Sequence, residues 1–353
     1  MKTHGYAAFS ATTPLAPFEF ERRSVGDHDI HIEILFCGIC HSDLHFVRNE
    51  WEGSIYPMVP GHEIIGKVKQ IGKAVKKIQV GDLAMVGCMV DSCRSCPSCH
   101  QGLEQYCDKG FVQTYNWPDP VSKNKITYGG YSTQIVVDEK YTLHVPKKFK
   151  EEQAASIAPL VCAGITTYSP LRHWKIGKGH KVGVVGLGGL GHMAIKLASA
   201  MGAEVTLFTT SPGKIKDGKK LGAHHAILSS NPSEMKKMSG TFDFILNTVS
   251  ASHNLDIYLE LLKRDGTMCL VGIPENPHPS PTAGLLIFKR KALAGSLIGG
   301  IKETQEMLNF CADHNITADI ELIPIQKINE AYERMLKSDV KYRFVIDMSS
   351  LKR

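Results

Sequence analysis

Residues 181–201 read KVGVVGLGGLGHMAIKLASAM. Lys181–Gly186 is a short apolar run, the pattern of a strand buried on both faces. From Gly189 to Met201 the apolar residues recur at helical spacing. Between the two, Gly186-Leu187-Gly188-Gly189-Leu190-Gly191 spells G-x-G-x-x-G. Alone the match is weak. Following a strand and opening a helix, it predicts a turn that cradles the pyrophosphate of a dinucleotide. The first glycine permits the tight turn, the second lets phosphate approach the backbone, and the third lets helix and strand pack closely. The helix N-terminus adds unbonded N–H groups and the positive end of its dipole.

Downstream, Glu204–Phe208, Ala226–Leu228, Phe242–Leu246 and Thr267–Val271 read as strands separated by helix-like segments. That alternation predicts a parallel, doubly wound α/β sheet, left near Gly299–Gly300. A site that binds the ribose 2′-hydroxyl places an acid about twenty residues beyond the glycines. Here the second strand runs into Phe208-Thr209-Thr210-Ser211-Pro212-Gly213-Lys214, with no acid. Hydroxyls and a lysine suit a 2′-phosphate, which a carboxylate would repel, so NADP(H) is expected over NAD(H).

Upstream, residues 1–150 read as short β-segments rich in turns. Ile30–Cys37, Ile64–Ile71 and Tyr131–Asp138 are expected strands, with a turn at Gly81–Asp82. The last fifty residues add a helix near Lys302–His314 and a strand, Tyr342–Asp347. A chain of 353 residues exceeds what one core usually serves, so two domains are expected. The net charge of +6 is mild. It suits an anionic small molecule and calls for no nucleic acid. No apolar run reaches about 18 residues, and residues 1–9 lack the pattern of a secretion signal. No membrane partner and a cytoplasmic location are therefore expected.

Clustered cysteines in a reducing compartment suggest metal. Cys93-x2-Cys96-x2-Cys99-x7-Cys107 offers four thiols to one tetrahedral zinc, a closed and therefore structural shell. Two disulfides are the alternative. A nucleic-acid-binding zinc module is rejected, because Arg94 is the only fixed cation inside the loop. A second set is dispersed: Cys40, His62 with Glu63, and Cys162. Each alone reads as a packed core residue. Beside a dinucleotide fold, two cysteines and a histidine form an accepted catalytic zinc set with one open position.

Taken together, Cys37–Asp43 (CGICHSD), Tyr56–Glu63 (YPMVPGHE), the four-cysteine loop, Pro159–Tyr168 (PLVCAGITTY), Gly186–Gly191 and Thr209–Lys214 resemble the zinc-containing medium-chain alcohol dehydrogenases. Within that family the chain is most similar to the cinnamyl alcohol dehydrogenase group and its broad-specificity, NADP-dependent bacterial aldehyde reductases. The resemblance runs through the whole chain in order. It implies a GroES-like, mostly β catalytic domain over residues 1–155 and 301–353, and a Rossmann domain over 156–300.

The resemblance also implies roles. Cys40, His62 and Cys162 would bind a catalytic zinc, and Glu63 could enter its shell. Asp43 would orient His62. Ser42 would contact the substrate oxygen beside the cofactor and begin a proton relay, with His45 as its outer member. Trp51 would line the substrate pocket. Thr166 would lie under the nicotinamide, Gly186, Leu187, Gly188, Gly189, Leu190 and Gly191 would hold the pyrophosphate, and Thr209, Thr210, Ser211 and Lys214 the 2′-phosphate. Thr248, Gly272, Ser296, Leu297 and Ile298 would supply later cofactor contacts. Lys291–Ile298 would be a sheet edge that pairs in a homodimer. The implied reaction is hydride transfer between NADP(H) and a primary alcohol or aldehyde, cinnamyl-type, aromatic or aliphatic, with aldehyde reduction favoured. Two readings compete: a zinc-free quinone reductase of the same fold, which would lack the ligand set, and a non-catalytic redox-sensing binding protein.

Overall fold

The computed structural model describes residues 1–119, 121 and 124–352. The chain forms two compact units, Met1–Cys162 with Gly299–Arg353, and Ala163–Ile298.

The second unit is built on a six-stranded parallel sheet. Its order is His225–Leu228, Glu204–Thr209, Lys181–Val185, Phe242–Asn247, Leu262–Leu270, Ala292–Gly295. Counted from Lys181–Val185, the strands run 3-2-1-4-5-6, the doubly wound dinucleotide arrangement that reverses at its first strand. Val182, Val184 and Val185 are buried, as an apolar run covered on both faces must be. The helix after the glycines is Gly191–Ala200, beginning later than the apolar spacing suggests because Gly186–Leu190 belong to the turn. It buries Met193, Ala194, Ile195, Leu197 and Ala198. The fifth strand is longer than Thr267–Val271. It starts at Leu262, and Lys263, Arg264 and Asp265 interrupt the apolar pattern in its first half. Ala292–Gly295 closes one edge of the sheet.

The first unit carries a seven-stranded sheet whose centre is the long strand Asp29–Gly38. It pairs antiparallel with Ile64–Ile71, Gln134–Asp138 and the C-terminal strand Arg343–Asp347. The last pairing, Val345 opposite Gly38 and Ile346 opposite Cys37, returns the end of the chain to the unit formed by its beginning. Ile320–Pro324 extends the sheet in parallel beyond Arg343–Asp347. The strand expected from Tyr131 begins only at Gln134. Residues 131–133 bond elsewhere: the Tyr131 amide donates to the Pro60 carbonyl, and the Thr133 amide to the His4 carbonyl. A hairpin-like pair, Lys2–Ala7 with Ala16–Glu21, stands beside this sheet. Among the described residues no single helix is long and apolar enough to cross a membrane.

Candidate metal and dinucleotide sites

The central strand ends at Gly38, and Cys40 becomes the N-cap of the short helix His41–Val47. Asp43 caps it: its Oδ2 accepts the Cys40 amide at 2.9 Å. Its Oδ1 accepts the Gly61 amide and the His62 Nδ1–H, both at 3.1 Å. One fully buried carboxylate thus fixes two distant segments, and leaves the His62 Nε2 lone pair free to ligate. Gly61, at φ +104°, makes the turn that presents His62. Cys162 follows the 3-10 turn Ala158–Val161.

The Cys40 and Cys162 sulfurs are 3.8 Å apart, and His62 Nε2 lies 3.2 Å from Cys162 Sγ. Ligand atoms of Cys40, His62, Glu63 and Cys162 all lie within 4.8 Å of one another, and all four residues are buried. A tetrahedral zinc with sulfur at about 2.3 Å has S–S edges of about 3.8 Å, so the donor set fits that ion. The hydrogen bond from Cys162 holds the Cys40 thiol well below its ordinary range; burial opposes this and the Arg343 charge assists. The hydrogen bonds with Cys40 and then Cys88, together with burial, push the Cys162 thiol well above that range. Glu63 pairs with the buried Arg343 guanidinium. Cys88 Sγ lies 3.7 Å from the Val161 carbonyl, just before Cys162.

Ser42 and His45 lie on the same helix, one turn apart. Ser42 Oγ is 3.6 Å from Cys40 Sγ. His45 donates from Nδ1 to Glu50 at 2.5 Å and stacks on Trp51, ring centroids 4.6 Å apart. His45 Nε2 is buried without a hydrogen-bond partner among the described residues, as is the Trp51 indole N–H. Sequence reasoning missed Arg343 and Glu50. A lone arginine on a C-terminal strand carries no local signal, and Glu50 reads as a surface acid after a turn.

In the four-cysteine loop, Cys93 and Cys99 sulfurs are 3.8 Å apart, Cys96 and Cys99 3.4 Å, and Cys96 and Cys107 4.0 Å. All four lie within 4.8 Å of one another. These are the edge lengths that four sulfurs take around a zinc ion, and they far exceed an S–S bond, so the disulfide alternative fails. Backbone N–H groups of Cys93, Cys96 and Cys99 point at sulfurs of the cluster. Such bonds favour thiolate: the Cys93 thiol, hydrogen-bonded first by the Ser95 backbone, comes down to about 6.

In the glycine turn, Gly186 has φ +89°. A Cβ on Gly191 would lie 2.1 Å from the Gly186 carbonyl oxygen, whereas one on Gly188 would meet nothing within 4 Å. Gly188 therefore faces open space of the kind a phosphate needs, and Gly191 is where helix and turn touch. No side chain caps the helix at Leu190, nor the next one, Gly213–Lys220, at Pro212. The residues present fit a dinucleotide. Thr248 donates to the Val185 carbonyl at 2.7 Å, and its hydroxyl braces the turn. A Cβ on Gly272 would press on Val249 and Ser250, placing it beside the Thr248 segment. Thr209 is buried and its Oγ1 accepts the Ser211 amide at 3.2 Å; Thr210 is exposed. Lys214 is half-buried in the first turn of its helix, and burial pushes its ammonium below the ordinary lysine range. Thr166 is buried in the helix Ala163–His173. Ser296 donates its amide to the Leu270 carbonyl at 3.1 Å, Leu297 is exposed, and Ile298 has a positive φ of 34°.

Residues 26–147 match the alcohol dehydrogenase GroES-like domain family, and residues 189–313 match the zinc-binding dehydrogenase family. The aldehyde reductase YahK of Escherichia coli is 59% identical over 351 residues, covering 99% of each chain. A cinnamyl alcohol dehydrogenase from Sorghum bicolor superposes with a TM-score of 0.95 at 44% identity, over 99% of this chain and 98% of that one. The Helicobacter pylori CAD, solved in complex with NADP(H), gives 0.92 at 45% identity over 99% of both chains. Likeness of that extent, end to end and with both domain families matched in order, settles the family: the chain belongs to the zinc-binding alcohol dehydrogenases.

Proposed function

We propose that this oxidoreductase transfers a hydride between NADP(H) and a primary alcohol or aldehyde, aromatic or aliphatic, working chiefly as an aldehyde reductase. The carrying observation is the convergence of Cys40, His62 and Cys162 on ligand-forming distances in a chain that also carries the glycine turn. That ligand set argues against the zinc-free quinone reductase reading.

Cys40, His62 and Cys162 hold one zinc, with Glu63 able to enter its shell, and Cys93, Cys96, Cys99 and Cys107 hold a second. When bound, the first zinc supplies Lewis-acid polarisation of a carbonyl, and the dinucleotide supplies the hydride. Asp43 locks His62 in the tautomer that leaves Nε2 unprotonated. Ser42 holds or gives the proton at the substrate oxygen through its Oγ. His45 replenishes it. Its Nδ1 is committed to Glu50, which leaves Nε2 as the exchanging atom. Trp51 supplies an apolar wall whose position is set by stacking on His45. Gly186–Gly191 hold the pyrophosphate, Thr209–Lys214 the 2′-phosphate, and Thr166, Thr248, Gly272 and Ser296–Ile298 the nicotinamide end. The division of labour follows residues 1–155 with 301–353 for metal and 156–300 for dinucleotide, except that the turn leading to Cys162 packs with the metal-binding unit.

The relatives named above as aldehyde reductase and as cinnamyl alcohol dehydrogenase support this substrate class, and the NADP(H) complex supports the cofactor. The edge strand Ala292–Gly295, with Ile287 and Phe288 exposed nearby, supports a homodimer. Cysteines grouped as two metal-ligand sets suit the cytoplasm. The test is a steady-state screen of aldehydes and alcohols with NADPH, NADP, NADH and NAD. Aldehyde-dependent NADPH oxidation is expected; no turnover with any pair, or quinone reduction alone, would refute the reading.

A further inference from the structure

Asp43 holds more than His62. Its carboxylate is wholly buried and accepts four hydrogen bonds, two on each oxygen. Oδ1 takes the Gly61 amide and His62, and Oδ2 takes the Cys40 amide and the Tyr131 hydroxyl at 3.1 Å. Three of these donors belong to the segments that carry the ligands. The fourth comes from a separate loop. A buried carboxylate is tolerable only when its acceptor sites are filled, and a missing donor lets it tilt.

We propose that Tyr131 is a positioning residue for the metal, its hydroxyl completing the hydrogen-bond shell that aims Asp43 at His62. The proposal rests on the zinc reading of Cys40, His62 and Cys162.

The loop is built to deliver that hydroxyl. Arg22 is half-buried, and its guanidinium donates to the carbonyls of Gln134 at 3.0 Å, Tyr128 at 2.5 Å and Gly129 at 2.8 Å, and to Ser132 Oγ at 3.0 Å. These acceptors bracket Tyr131 on both sides. The Gly129 and Tyr131 amides donate to the Val59 and Pro60 carbonyls, and the Gly130 amide to Gly61. The loop is thereby tied to the segment that presents His62. The Tyr131 ring packs there so closely that a Cβ on Gly61 would lie 2.7 Å from it. Two further tyrosines face the same network: Tyr115 stacks on His62 with its hydroxyl towards Asp43, and the Tyr332 hydroxyl lies against that of Tyr131, but neither reaches hydrogen-bond geometry with a partner among the described residues, whereas Tyr131 does.

Tyr131→Phe keeps the ring and deletes only the hydroxyl. The assay is zinc release from the purified holoenzyme to 4-(2-pyridylazo)resorcinol, for wild type, Tyr131→Phe, Asp43→Asn and the double variant. Zinc in the four-cysteine loop serves as the internal reference. Outer partners of metal ligands are worth roughly 10–100-fold in affinity, so Tyr131→Phe should speed release of one zinc by about tenfold and leave the other unchanged. In the Asp43→Asn background the same change should alter release by less than about twofold, since the two act in series. Arg22→Lys, which keeps the charge and loses most of the staple, should move the same zinc in the same direction. A wild-type release rate in Tyr131→Phe, equal acceleration of both zincs, or undiminished effects in the double variant would overturn the proposal while the zinc reading stands. A wild-type enzyme whose only zinc is lost in Cys107→Ser would overturn both.

Discussion

Gly188 and Gly191 belong to one motif, and the structure assigns them opposite sensitivities to the same added methyl group. At Gly191 a Cβ would lie 2.1 Å from the Gly186 carbonyl oxygen and 3.2 Å from Thr248 Oγ1. Relieving the first contact requires helix and turn to separate by about an ångström, and overpacking of that kind costs about 1–3 kcal/mol. At Gly188 a Cβ has open space for 4 Å around it and an ordinary φ. Gly→Ala at such a position stabilises by about 0.4–1 kcal/mol, because the unfolded chain loses freedom. That open space is where the pyrophosphate is expected to sit. Gly191→Ala should therefore lower the melting temperature of the ligand-free protein by several degrees, at about 2–4 °C per kcal/mol. Gly188→Ala should leave it unchanged or slightly raised, yet weaken NADPH binding by about tenfold or more. Differential scanning calorimetry and NADPH fluorescence titration on both variants read the two effects. Wild-type NADPH affinity in Gly188→Ala would refute the assignment of that space to phosphate. A stable Gly191→Ala would refute the role given to close packing.

Other expectations follow from the metal and phosphate sites. Cys107→Ser should drop zinc from about two to about one per chain and lower the melting temperature by about 5 °C or more, before any loss of cofactor affinity, as mass spectrometry under native conditions and calorimetry would show. Ser42→Ala should keep both zincs and lose turnover by about 100-fold or more, the scale of a positioned proton-transfer group; wild-type turnover would remove Ser42 from the relay. Lys214 must be charged to hold a 2′-phosphate, and burial lowers its proton affinity. Raising the pH through that lowered range removes the cation, so NADPH affinity should fall as pH rises while NADH affinity stays flat, and Lys214→Met should abolish the difference.

The parts of this molecule that are periodic or contiguous were readable in the sequence, and the parts made by convergence were not. Lys181–Val185 and the glycine turn announce themselves because a strand buried on both faces is a plain apolar run. The four-cysteine loop is likewise local: its spacing alone brings the sulfurs together. The first half of the fifth strand is masked in the sequence by Lys263, Arg264 and Asp265, and Ile320–Pro324 and Lys2–Ala7 are short edge elements with little pattern of their own. Cys40, His62 and Cys162 gain meaning only through the family resemblance, because nothing at any one of them says that two strand ends and a 3-10 turn meet. Glu50, Arg343 and Tyr131 lay beyond even that. Arg343 and Tyr131 act by touching a residue from another segment, Glu63 or Asp43, and tertiary contacts of that kind leave no period in a chain; Glu50 meets His45 only five residues away, but an acid after a turn carries no pattern that names its partner. By alternation Tyr131 reads as the start of a strand; in the structure it precedes that strand and is a side chain fixed by a loop.

The proposed chemistry requires a cation held between Cys40, His62 and Cys162. Anomalous diffraction from crystals of the holoenzyme at the zinc edge tests it directly. A peak about 2.3 Å from both sulfurs and about 2.0–2.1 Å from His62 Nε2, together with a second peak inside the four-cysteine loop, is the predicted result. A map with density only in the loop, and the two thiols and the imidazole turned away from a common centre, would contradict it.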